Sequence, residues 1–72
     1  MIRPPKKASL RELAIAYIPV LTAAREPKSR ERLATALGNI ARIFDERGRP
    51  DMARLIRAGE IESALEALRA IT

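Results

Sequence analysis

The stretch LATALGNIARIF, residues 33 to 44, contains the clearest helical pattern in this chain of 72 residues. Leu33, Leu37, Ile40 and Phe44 are separated by four, three and four positions, which places them on one face of an α-helix. Ile43 lies beside this face and widens it. The pattern predicts a helix that packs an apolar stripe against the rest of the domain.

Proline and glycine mark the limits of the helices on both sides of this stretch. Pro27 suits the first turn of a helix, and Gly48 suits the left-handed conformation that ends one. Pro50 and Gly59 delimit a further short helix in the same way, and the last segment follows with its own apolar face. The predicted helices cover residues 9–25, 27–47, 50–58 and 60–71.

The first of these helices begins with a capping pattern. Ser9 is followed three positions later by Glu12, the arrangement in which a hydroxyl and a carboxylate satisfy free backbone N–H groups. The residues that follow are apolar nearly all round, which is typical of a helix that is central or that contacts a partner. Pro19 removes one backbone hydrogen bond, so we expect a kink there.

The sequence therefore predicts an all-α protein, a small bundle of about four helices with no strand. Its first helix is kinked, its second is long, and its short third and fourth helices form a hairpin. Residues 1–8, which include two prolines and two lysines, are predicted to be a basic flexible tail, and residues 9–72 one helical domain. Because so short a chain buries little surface alone, we expect a homodimer or a larger homo-oligomer.

Several classes of function are disfavoured by composition. The chain has no cysteine and no histidine, and no nucleophile lies next to a base or metal ligand at a workable spacing. We therefore expect no enzyme activity, metal, cofactor or small-molecule substrate. No apolar run approaches the roughly 20 residues of a membrane span. A cleaved signal sequence over residues 13–24 is the less favoured alternative to a cytoplasmic protein, because Glu12 lies at the start of this stretch and Pro19 interrupts it.

Charge is distributed unevenly along the chain. The first 32 residues contain eight basic and three acidic side chains, whereas residues 33–72 are balanced, so the whole net charge of +5 lies in the first part. This asymmetry favours contact with a polyanion such as nucleic acid or an anionic membrane surface, or a solubilising role. The residues predicted to contact phosphates are Arg3, Lys6 and Lys7 on the tail and Lys28, Arg30 and Arg32 near the start of the second helix.

A helix-turn-helix motif fits the sequence poorly. Ala34, Gly38 and Phe44 have suitable offsets, but Ile40 and Ile43 fall where a recognition helix needs polar groups. The fourth segment would present glutamates to the phosphates. The phrase ALGNIAR, residues 36–42, resembles the helix before the helix-turn-helix of addiction-module antidote proteins over about a tenth of the chain, and the acidic fourth segment departs from that family.

Two functional hypotheses follow. The first is a small regulatory or accessory protein without enzymatic activity, whose basic N-terminal third contacts nucleic-acid phosphates. The alternative is a helical protein-protein interaction module, such as an adaptor, inhibitor or oligomerising subunit, with no nucleic-acid role. In the second hypothesis, apolar and small residues that the core does not require form the interface with the partner protein. The predicted interface residues are Ile15, Val20, Ala34, Gly38 and Ile43.

Overall fold

A computed structural model describes residues 8–72. These residues form five α-helices and no strand, which confirms the predicted small all-α bundle. No helix in this part of the chain has both the length and the apolar character needed to cross a membrane. The helices are α1 (Leu10–Ala23), α2 (Pro27–Arg32), α3 (Ala34–Glu46), α4 (Pro50–Arg57) and α5 (Ile61–Ile71).

Local sequence explains most of the helix limits. Ser9 caps α1, because its hydroxyl accepts a hydrogen bond of 3.1 Å from the backbone N–H of Glu12. Pro27 and Pro50 occupy the first turns of α2 and α4. The turns after α3 and α4 place Gly48 and Gly59 at φ values of 81° and 77°, a region that side chains rarely tolerate.

The predicted long second helix is divided at Leu33. This residue adopts φ −92° and ψ 6°, outside the α-helical range, and separates α2 from α3. Its N–H still donates to the carbonyl of Ser29 at 2.9 Å, and its carbonyl accepts from Leu37 N–H at 2.8 Å. The chain therefore leaves the helical conformation at Leu33 while the N–H and the carbonyl of that residue both remain hydrogen-bonded, so the division needs no proline or glycine.

Both ends of α1 are held by the rest of the domain. Ala8, assigned to the tail by the sequence, is buried in the core, and its carbonyl accepts a hydrogen bond from the guanidinium of Arg47 after α3. The helix then continues through Pro19 to its end. Beyond that end, Arg25 forms an ion pair of 2.5 Å with Glu62 near the start of α5. This pair shows that α1 and α5 are antiparallel.

The bundle consists of two packed helix pairs. One pair is α3 with α4 and the other is α1 with α5, and α4 also contacts α5. The fully buried Phe44 of α3 connects the pairs, because its ring meets that of Tyr17 on α1 edge to face, with centroids 6.2 Å apart. The core also contains the fully buried side chains of Leu21, Met52, Leu65 and Leu68.

Candidate partner-binding pocket

An apolar pocket of about 310 Å³ lies where α2, α3 and α4 meet. Its volume is at the lower end of the range found for ligand sites. No acidic side chain is among the described residues that form it, whereas two arginines are. The lining residues are Arg30, Ala34, Leu37, Gly38, Ile56, Arg57 and Gly59.

Small residues keep this pocket open. Leu37 and Ile56 are buried and form its apolar base, whereas Ala34 and Gly38 are exposed on the surface of α3. A Cβ atom added to Gly38 would meet no other atom within 4 Å, so open space lies directly in front of that residue. The pocket therefore admits a side chain from outside and allows a second backbone to approach α3 closely.

Arg30 brings a fixed positive charge to the pocket. Its Nε donates to the carbonyl of Ala24 at 3.0 Å and its Nη2 to the carbonyl of Arg25 at 3.4 Å, so the side chain caps the end of α1. No carboxylate among residues 8–72 pairs with it. The charge of Arg30 is thus positioned by backbone acceptors and is available to a ligand.

Arg57 brings a second positive charge, which is only weakly neutralised. Its Nη1 lies 3.4 Å from Oδ2 of Asp45, and both side chains are about half exposed. Such exposed pairs contribute little to stability, typically about 0–1 kcal/mol. A carboxylate of a bound partner can therefore compete with Asp45 for this guanidinium.

Of the residues predicted to contact phosphates, Lys28, Arg30 and Arg32 lie in the described part of the chain. Arg3, Lys6 and Lys7 lie outside the described residues. Lys28 and Arg32 are exposed on α2, and Arg30 on the same helix caps the end of α1 and lines the pocket. Ala8, from which the predicted tail departs, lies beside Arg47 at the opposite end of α3 from α2.

The predicted interface residues fall into three environments. Val20 and Ile43 are half-buried and pack against the core of their own chain. Ala34 and Gly38 line the pocket. Ile15 is 53 % exposed on α1 and is the exposed large hydrophobic residue of the described chain.

Sequence reasoning missed the contribution of α4 and its following turn. Gly59 was predicted only as a helix end, and Arg57 had no assigned role. The sequence signal for Arg57 is Asp45 twelve positions before it, an opposite charge that becomes a neighbour once α3 and α4 pack together. That spacing alone does not distinguish a contact from two solvated charges.

The pocket combines an apolar base with two guanidinium groups, a set that accepts an aliphatic group lying next to a carboxylate. Within residues 8–72, no three acidic side chains lie together in an arrangement that could hold a metal ion. Comparison of the chain with protein-family models, with curated proteins and with solved structures gives no match.

Proposed function

We propose that this protein is a helical protein-protein interaction module that binds a partner helix in the pocket between α2, α3 and α4. The observation that carries the proposal is the apolar pocket in front of Gly38, with Arg30 and Arg57 in its lining and no acidic side chain. The partner helix would insert an aliphatic side chain and place a neighbouring carboxylate beside the guanidinium groups.

A helix suits this pocket better than other ligand forms. A small molecule bound tightly is usually enclosed over most of its surface, whereas this pocket opens to solvent beside the exposed Ala34 and Gly38. An extended peptide that binds as an added strand needs a sheet edge for its backbone groups, and residues 8–72 contain no strand. A helix satisfies its own backbone hydrogen bonds and needs only side-chain contacts.

Selection from a display library of helical peptides tests this proposal. The wild-type protein is the bait and the Gly38→Phe variant, in which an aromatic ring fills the pocket, is the counter-selection. The matched control is Asn39→Phe, which adds the same ring to the exposed neighbouring position on α3, outside the pocket. We expect peptides that bind the wild type and Asn39→Phe but not Gly38→Phe. Failure to obtain any peptide that distinguishes Gly38→Phe from the wild type would refute the proposal.

Nucleic-acid binding is the second candidate function, and one observation favours it. Lys28 and Arg32 are four positions apart on α2, are exposed, and have no ion-pair partner among the described residues. Side chains at this spacing share a helix face, so both can contact one phosphate backbone. Glu26 and Glu31 lie close to them in sequence and oppose such contacts, which is why we rank this function second.

A salt series with duplex DNA tests the second candidate. Replacing Lys28 and Arg32 by glutamine should weaken binding to all sequences alike and reduce the salt slope by about one unit per lost phosphate contact. Arg54→Gln together with Arg69→Gln, on the exposed surfaces of α4 and α5, is the control for the loss of two charges alone. Equal effects of the two changes, or no binding by the wild type at low salt, would contradict this function.

A further inference from the structure

The solvent-facing side of α1 is almost free of charge. No charged residue occurs between Glu12 and Arg25, yet Ile15, Ala16 and Pro19 are exposed along this helix, as are Thr22 and Ala23. Surface helices of globular proteins usually present charged residues to water. We call these five exposed residues the outer face of α1. This face therefore has the composition of a contact surface.

The chemistry of this face matches that of the pocket. Ile15 provides a half-exposed aliphatic side chain. Glu12 lies three positions earlier, one turn away on the same side of the helix, and provides a carboxylate near the centre of this face, whereas the exposed Arg11 lies at its edge. The apolar base of the pocket suits the aliphatic side chain, and the guanidinium groups of Arg30 and Arg57 suit the carboxylate.

Charge disfavours contact between two pockets. A two-fold pairing of this surface with itself would place the Arg30 and Arg57 side chains of both copies close together, and like charges at an interface reduce affinity. The exposed side of α5, which presents Glu62, Ser63 and Glu66, has suitable charge but no large apolar side chain to fill the pocket. Among the described helices, α1 offers both groups.

We propose that Ile15 of one copy inserts into the pocket of a second copy, with Glu12 beside Arg30 and Arg57. This inference rests on the proposed function of the pocket and names a second copy of the chain as its partner. The inserted side chain and the pocket lie on different elements of the bundle. Contacts of this heterologous kind generate rings or open chains, so the mass of the assembly should rise with concentration.

Light scattering and sedimentation of two variants, measured separately and mixed, test the inference. Ile15→Gln removes the inserted group and Gly38→Phe fills the pocket. Each variant alone should be monomeric at concentrations where the wild type exceeds its monomer mass of 8.0 kDa. Their mixture retains one intact contact, between Ile15 of the second variant and the open pocket of the first, and should form a dimer that does not grow further.

Charge exchange supplies an independent measurement. Glu12→Arg and Arg57→Glu should each weaken self-association by about tenfold or more, which corresponds to ~1.4 kcal/mol. Their combination in one chain should restore it, because the complementary pair is re-formed with opposite sign. Arg57 is chosen rather than Arg30, since Arg30 also caps α1.

The outcomes separate this inference from the function on which it rests. A wild-type protein that stays monomeric up to millimolar concentration, or an assembly that is insensitive to Gly38→Phe, overturns the inference. If library peptides still bind the pocket in that case, the proposed interaction module survives with another protein as its partner. If neither peptides nor a second copy bind, both are wrong.

Discussion

Arg30 is held by two backbone carbonyls at the end of α1, and its removal should therefore destabilise the fold. We expect Arg30→Ala to lower the free energy of unfolding by about 1–2 kcal/mol, because hydrogen bonds from a charged donor are lost at a helix end. The measurement is urea unfolding followed by circular dichroism. Arg32→Ala, two positions away and exposed, should change stability by less than about 0.5 kcal/mol. Similar losses in both variants would contradict the capping role.

Two glycines should respond in opposite directions to alanine. Gly38 lies inside α3 with open space before it, so Gly38→Ala should stabilise the protein by about 1 kcal/mol through helix propensity. Gly59 has φ 77°, and an alanine there should cost about 1–2 kcal/mol. Thermal unfolding of both variants checks whether the first is stabilised and the second destabilised.

At the scale of the element, the cap of α1 gives the simplest prediction. Ser9→Ala removes the hydroxyl that accepts from Glu12 N–H and should reduce the free energy of unfolding by about 1 kcal/mol. Ser63→Ala in α5 is the control, because that serine is exposed inside a helix and caps nothing. Urea unfolding of both should show a loss for the first variant only. A loss of equal size for Ser63→Ala would contradict the prediction, because it would show that the effect does not come from the cap.

A carboxyl group at the start of α4 should make the stability of the fold depend on pH. Two hydrogen bonds of 3.2 Å from Arg49 lower the pKa of Asp51, with further help from the backbone N–H of Met52. A carboxyl with a lowered folded pKa stabilises the fold above its ordinary pKa of about 4, and this stability is lost as pH falls through the folded value. Asp51→Asn should therefore narrow the difference in stability between neutral pH and pH below about 3. If urea unfolding gives the variant the same difference between the two pH values as the wild type, the role of Asp51 is contradicted.

The sequence predicts the helix limits of this fold wherever a single residue determines the local backbone conformation. Pro27, Pro50, Gly48 and Gly59 each have φ preferences that do not depend on distant contacts, and each lies at a helix limit. Leu33 has no such preference, and its departure from the helix was not predictable from residue type.

The candidate site was predictable only in part. The sequence singled out Ala34, Gly38 and Arg30, although it assigned Arg30 to phosphates and the two small residues to an oligomer contact. The pocket itself depends on the packing of α3 against α4, which brings Arg57 and Gly59 beside Gly38. Periodicity shows which face of each helix is apolar, but it does not give the register between two helices.

For the whole molecule, Phe44 connects the two helix pairs and should determine whether the bundle unfolds as one unit. Phe44→Ala should cost about 3–5 kcal/mol, the usual range for a large core side chain. At roughly 0.05–0.15 kcal/mol per residue, a chain of this length has only about 4–11 kcal/mol of stability. This cost is a large fraction of the total, so we expect the variant to unfold at a much lower urea concentration than the wild type. Ile71→Ala, half-buried near the end of α5, should stay closer to the wild-type midpoint.

The antiparallel pairing of α1 with α5 brings the first and last described residues to one end of the bundle. The order in which the helices occur along the chain is therefore separable from the way in which they pack. A circular permutant that joins Thr72 to residue 1, with residues 1–7 as the connection, and opens the chain at the exposed Gly48 would begin with α4 and end with α3. Every helix pair of the original bundle could still form in that rearranged order.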